Sequence, residues 1–128
     1  MSKHPYESYQ QNSVLSAGPE ELVNLLYNRL LKDLKLAIYA IERKDTQNTH
    51  NSLIHAQDIL VHLMSTLNTE LDVGKSLLLM YDYMNRRLKE ANIEKNTEII
   101  QEVIGYVEEI KDAWGKASRA VKTGESVG

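Results

Sequence analysis

Three side chains in this sequence are spaced to meet a single ion. His55, Asp58 and His62 stand at i, i+3 and i+7, which places them along one face of a helix. Two imidazoles and a carboxylate are donors that a transition metal accepts. The set is loose, however, because one helix supplies all three and their face includes solvent-side positions; uncharged surface histidines are the preferred reading. The carboxylate-bridged di-iron bundles need Glu-x-x-His pairs on two helices, and no Glu in the chain is followed by His three residues later. Val73-Gly74-Lys75-Ser76 matches the end of a phosphate-binding loop, but the required upstream glycine is replaced by Thr69 and no strand precedes it. Adjacent carboxylates such as Glu108-Glu109 diverge on a helix and share no site. Lys116, Arg119 and Lys122 suit the negative end of a helix dipole. Arg86, Arg87 and Lys89 make a basic cluster in an otherwise acidic chain, too weak to indicate phosphate binding. With no cysteine there is no thiolate nucleophile, disulfide or thiolate metal site. No metal or cofactor is expected, and the chain is not read as an enzyme.

The elements that carry these residues are helical. The chain has 128 residues, 42% of them hydrophobic and 26% charged, values typical of one soluble globular domain. A net charge of −3 argues against a nucleic-acid partner. The start, Met1 to Glu7, lacks the apolar core of a signal peptide. No stretch reaches the ~18 apolar residues of a membrane span. The expectation is a cytoplasmic protein without membrane insertion. Both prolines fall within the first nineteen residues, and beyond them apolar positions recur with a period near 3.6. Four stretches follow: about Pro19 to Arg43, Thr49 to Thr69, Lys75 to Ala91, and Thr97 to Val121. Lys44 to Asn48 reads as a polar connection, Thr69 to Gly74 as a break, Asn92 as the end of the third stretch and Asn96 as the cap of the fourth. Short links between long amphipathic helices predict an all-α, antiparallel up-down-up-down four-helix bundle over residues 19–121. Residues 1–18 are expected to form an arm, with one short helix from Pro5 to about Asn12. Residues 122–128 carry no pattern and are expected to be a disordered tail.

Apolar side chains exceed what the four core stripes need. Asp58 is the only charge between Thr46 and Thr69, yet a helix packed on one face normally carries charge on the other. Ile54 and Val61 fall outside the main stripe of the second stretch; so do Leu22, Leu25 and Leu36 in the first, and Ile99, Tyr106 and Ala113 in the fourth. Burying one large apolar side chain is worth roughly 1.5–3 kcal/mol, so several exposed together favour a covering partner. A bundle with unusually wide apolar faces would give the same pattern.

Two segments go beyond bundle grammar. One is Met80-Tyr81-Asp82-Tyr83-Met84-Asn85-Arg86-Arg87-Leu88-Lys89-Glu90-Ala91-Asn92. The other starts at Tyr9-Gln10-Gln11-Asn12-Ser13-Val14 and continues through Gly18-Pro19-Glu20-Glu21-Leu22 to Leu26-Tyr27-Asn28. With Asp112-Ala113-Trp114, these resemble the FliS-type flagellar secretion chaperones from about Tyr6 to Trp114. Two positions depart from the family pattern: Gly18 replaces the usual Ser before the proline, and Arg29 stands where a glycine is frequent. The resemblance implies an antiparallel bundle that binds the disordered carboxy-terminal segment of flagellin, prevents premature polymerisation and delivers flagellin to a component of the flagellar type III export gate. The free protein is expected to be a monomer or a homodimer. On this reading Tyr6, Tyr9, Asn12 and Val14 form a displaceable arm, and Leu22, Leu25, Leu26, Ile54 and Val61 line grooves for flagellin. Tyr27, Tyr81 and Trp114 are expected inside the core. The competing reading is a helical adaptor for another helical partner.

Overall fold

The computed structural model describes residues 20–123, and the side chains of residues 21–114. Four helices follow one another: α1 Glu20–Glu42, α2 Thr46–Ser65, α3 Asp72–Glu94 and α4 Thr97–Thr123. α1 packs against α2 and α4, and α3 packs against the same two helices. The four therefore form an all-α bundle with α1 diagonal to α3, as the short links require. No strand occurs among the described residues.

Helix ends depart from the sequence expectations in ways the local hydrogen bonds explain. Thr46, Gln47 and Asn48 are the first turn of α2, not a connection. Asp45 caps that turn: Oδ1 accepts from the Asn48 backbone N–H at 3.1 Å and Oδ2 from its side-chain amide at 2.6 Å. α1 closes just before, with Lys44 at φ 60°. There the Asp45 N–H donates to the Ala40 carbonyl at 2.8 Å and the Lys44 N–H to Ile41 at 2.9 Å, the paired bonds of a left-handed helix closure. α3 continues past Asn92 and ends the same way, with Lys95 at φ 54° and the Asn96 N–H donating to Ala91 at 3.1 Å. Asn92 remains helical because its side chain is committed elsewhere: its amide meets His50 of α2 at 2.9 Å and its Oδ1 accepts from Lys95 Nζ at 2.6 Å. Asn96 does cap α4, accepting from Glu98 N–H at 2.8 Å and Ile99 N–H at 3.3 Å.

Gly74 sits buried in the first turn of α3, where a Cβ would lie 2.0 Å from the Asn68 carbonyl oxygen. That contact, and not phosphate binding, accounts for the glycine in Val73-Gly74-Lys75-Ser76. The core is built from the predicted stripes, with Leu30, Leu34, Leu53, Leu60, Leu63, Met84, Leu88, Ile100, Val103 and Val107 fully buried. Ile99 is buried as well, contrary to its expected place among the surplus apolar residues; it lies one turn before Val103 and shares its face.

Candidate functional site

Described residues of the segments that carry the family resemblance meet inside the bundle. Tyr27 of α1 and Tyr81 of α3 stand diagonally opposite and are almost wholly buried, and their hydroxyls are hydrogen-bonded at 2.6 Å. The half-buried Trp114 of α4 donates to the Tyr27 hydroxyl. Burial pushes both phenols up from their usual range, and for Tyr27 the neighbouring Tyr81 adds to the shift. These residues therefore fix the bundle's registry from inside and are not available to a partner.

The surface residues are distributed differently. Leu25 of α1 is 61% exposed, and Ile54 and Val61 of α2 are 40% and 54% exposed. Leu22 is half-buried, as is Leu26, which also packs on the core. Between α1 and α2 lies an open depression lined by Leu26, Arg29, His55, Asp58, Ile59 and His62. The structure thus brings Leu26 and Arg29 together across the cleft from α2, while Ile54 and Val61, within one turn of Asp58, stand outside that lining. Tyr6, Tyr9, Asn12 and Val14 lie outside the described residues.

His55, Asp58 and His62 share the cleft, but the His55 ring reaches across it to the carboxylate of Asp33, through Nδ1 and Oδ2. Asp33 is an otherwise buried acid of α1 that sequence reasoning did not single out. Its position on the α2-facing side of α1, opposite a histidine, is the only prior signal. Among the described residues no three His, Asp or Glu side chains are grouped to hold a metal ion.

Sequence reasoning also missed a second surface feature, at the seam of α3 and α4. Glu102 accepts from Tyr83 and Tyr106 hydroxyls at 3.0 Å each, and from Arg87 Nε and Nη2 at 3.1 and 2.9 Å. Arg87 also reaches Glu90 at 2.8 Å. Chiefly through Arg87, the Glu102 carboxyl is held below its ordinary value, while Glu102 raises the Tyr83 and Tyr106 phenols. Arg86 pairs with Asp82 at 3.2 Å, so two of the three cations expected to make a basic cluster are neutralised locally. Leu79, Met80 and Tyr83 leave an apolar patch beside this network, with Leu79 71% exposed. No helix among the described residues is long and apolar enough to cross a membrane.

Comparison with known proteins narrows the chemistry that such a surface serves. The family model described as flagellar protein FliS matches residues 1–121. The flagellar secretion chaperone FliS of Bacillus subtilis is 47% identical over 115 residues, covering 90% of this chain and 86% of the relative. That of Salmonella typhimurium is 30% identical over 119 residues, with 91% and 88% covered. That of Campylobacter jejuni is 29% identical over 124 residues, with 95% and 94% covered.

Proposed function

This chain belongs to the FliS family of flagellar proteins, and on that premise we propose that it is a cytoplasmic flagellar secretion chaperone that binds the disordered carboxy-terminal segment of flagellin. It keeps flagellin from polymerising early and presents it to the export gate. It performs no catalysis in this role: its work is to cover apolar surface.

The observation that carries the reading is the exposure of Leu25, Ile54 and Val61 on a bundle whose core is already complete. A segment that is disordered when free and helical when packed docks through apolar positions one turn or two apart, and Ile54 and Val61 are two turns apart. Ordering the segment opposes binding, so several apolar contacts are required together. Leu22 and Leu26 extend the apolar surface along α1, and Arg29 at the edge of the α1–α2 cleft sets how closely a bound segment approaches there. In this reading Tyr6, Tyr9, Asn12 and Val14 form an arm that covers part of the groove when it is empty and leaves when flagellin arrives.

The test pairs Leu25→Asp and Ile54→Asp. Both side chains are exposed, so thermal stability should stay within a few degrees of the parent while affinity for a flagellin carboxy-terminal peptide falls at least ~tenfold, about 1.4 kcal/mol. Unchanged affinity in two folded variants would remove these residues from the groove.

A further inference from the structure

Beyond the client groove, α1 carries a second surface with its own chemistry. Between Glu21 and Glu42 the only acid on α1 is Asp33, which is buried and taken by His55. Leu36 and Tyr39 are 45% and 56% exposed. Leu36 separates two open depressions. One is bordered by Lys32, Lys35 and, from α4, Lys111. The other is bordered by Tyr39, Arg43 and the α2 cap. Among the described residues none of these four cations is paired with a carboxylate. Arg43 is held over the Tyr39 ring at 5.2 Å and donates to its hydroxyl at 3.1 Å, so it is positioned without being neutralised. Asp45, which lines the same depression and lies within the field of Arg43, has both oxygens engaged by Asn48.

This concentration of positive charge stands out in a chain of net charge −3. Its surroundings are of the opposite sign or nearly neutral. α4 exposes Glu98, Glu108, Glu109 and Asp112, and apart from its histidines α2 carries only Asp58. The basic strip therefore runs along α1, with Lys111 of α4 at its edge. An anionic bilayer lying on it would also meet the α4 carboxylates, and a nucleic acid would make no use of Leu36. A single helix with an apolar stripe flanked by acids meets Leu36 and Tyr39 with the stripe and the four cations with its edges. We infer that the outer face of α1 docks an acidic amphipathic helix of a partner protein, at a surface separate from the client groove.

The probe is a fluorescein-labelled helical peptide of about 20 residues, long enough to span ~30 Å of α1, with a leucine stripe flanked by glutamates. Its lysine-for-glutamate counterpart serves as the control. Fluorescence anisotropy with the full chain should show saturable binding of the acidic peptide only, weakening as salt rises. The Lys32→Glu/Lys35→Glu variant should lose at least ~tenfold in affinity, Leu36→Ser should lose affinity with the salt dependence retained, and Glu108→Gln/Glu109→Gln should not weaken binding. A prior saturating load of flagellin peptide should leave the probe's affinity within twofold, about 0.4 kcal/mol. The inference is overturned by equal binding of both peptides, by no binding of the acidic one, or by wild-type affinity in the charge-reversed variant. It is also overturned by capture of phosphatidylserine vesicles through the same lysines, or by mutual exclusion with the flagellin peptide. If the flagellin peptide fails to bind while the acidic probe binds as described, the client reading falls and this one stands.

Discussion

The sharpest prediction concerns the Tyr27–Tyr81 pair. Each hydroxyl is buried in an apolar core, and among the described residues Tyr81 has Tyr27 alone as its partner, whereas Tyr27 also receives the Trp114 N–H. A net hydrogen bond contributes only ~0.5–1.5 kcal/mol, but a buried polar group left without a partner costs about 1–3 kcal/mol. Tyr27→Phe strands the Tyr81 hydroxyl and removes the Trp114 acceptor, so it should fall at the upper end of that range. Tyr81→Phe leaves Tyr27 with Trp114 and should fall at the lower end. Replacing both tyrosines removes donor and acceptor together. The double variant should then be no less stable than Tyr27→Phe alone, and more stable than the two single losses summed by ~1 kcal/mol or more. In a domain of this size each kcal/mol moves the melting temperature by roughly 4 °C. The expected drops are about 8–12 °C for Tyr27→Phe and about 4 °C for Tyr81→Phe. Urea titrations followed by far-UV circular dichroism, with calorimetric melts alongside, give the full cycle. Strict additivity of the two single losses would refute the claim that these hydroxyls are energetically coupled across the bundle diagonal.

Other consequences are open to simpler measurements. Both phenols have folded pKa values raised by burial, so their contribution to stability is complete below the ordinary tyrosine pKa near ~10 and is lost as pH rises beyond it; melting temperature should fall above that pH, less steeply in the double Phe variant. Gly74→Ala drives a Cβ into the Asn68 carbonyl and should cost ~2 kcal/mol or more, whereas Gly105, exposed in the middle of α4 with nothing near a Cβ, should gain ~0.5–1 kcal/mol on substitution by Ala; urea midpoints should move in opposite directions. Lys44→Gly relieves a left-handed lysine and should stabilise by ~0.5–1 kcal/mol, while Lys95→Gly should gain less, because Lys95 Nζ also bonds Asn92. Asp45→Ala should lower the melting temperature at neutral pH but have little effect at acid pH, because capping holds the Asp45 carboxyl below its usual range and that stabilisation disappears as the group is protonated.

The bundle was legible because its signal is periodic and repeated: Leu30, Leu34, Leu53, Leu60, Ile100 and Val103 recur at helical spacing and all are buried. Helix ends were harder, because polar residues serve both first turns and loops. Thr46-Gln47-Asn48 reads as a connection until Asp45 is seen to cap it, and Asn92 reads as a terminator until His50 is found across the seam. Lysines at φ 60° and 54° carry no sequence mark at all. The surplus apolar residues divided along similar lines. Leu25, Ile54 and Val61 point outward as their spacing indicates, but Ile99, one turn before Val103, is buried in the core. The Asp33–His55 contact joins residues 22 positions apart, and the Arg87 and Tyr83 bonds to Glu102 join residues 15 and 19 apart. Periodicity within one helix says nothing about which neighbour a polar side chain will meet.

The central claim is that this bundle orders a disordered flagellin segment on its apolar surface, and one titration tests it most directly. The full chain is titrated with a peptide spanning the carboxy-terminal segment of flagellin from the same organism, by calorimetry and far-UV circular dichroism together. The account predicts one-to-one binding, a negative heat-capacity change and more helix than the sum of the separate components. Strictly additive helix content with no heat at about tens of micromolar peptide, where even a modest affinity near ~8 kcal/mol registers, would contradict it.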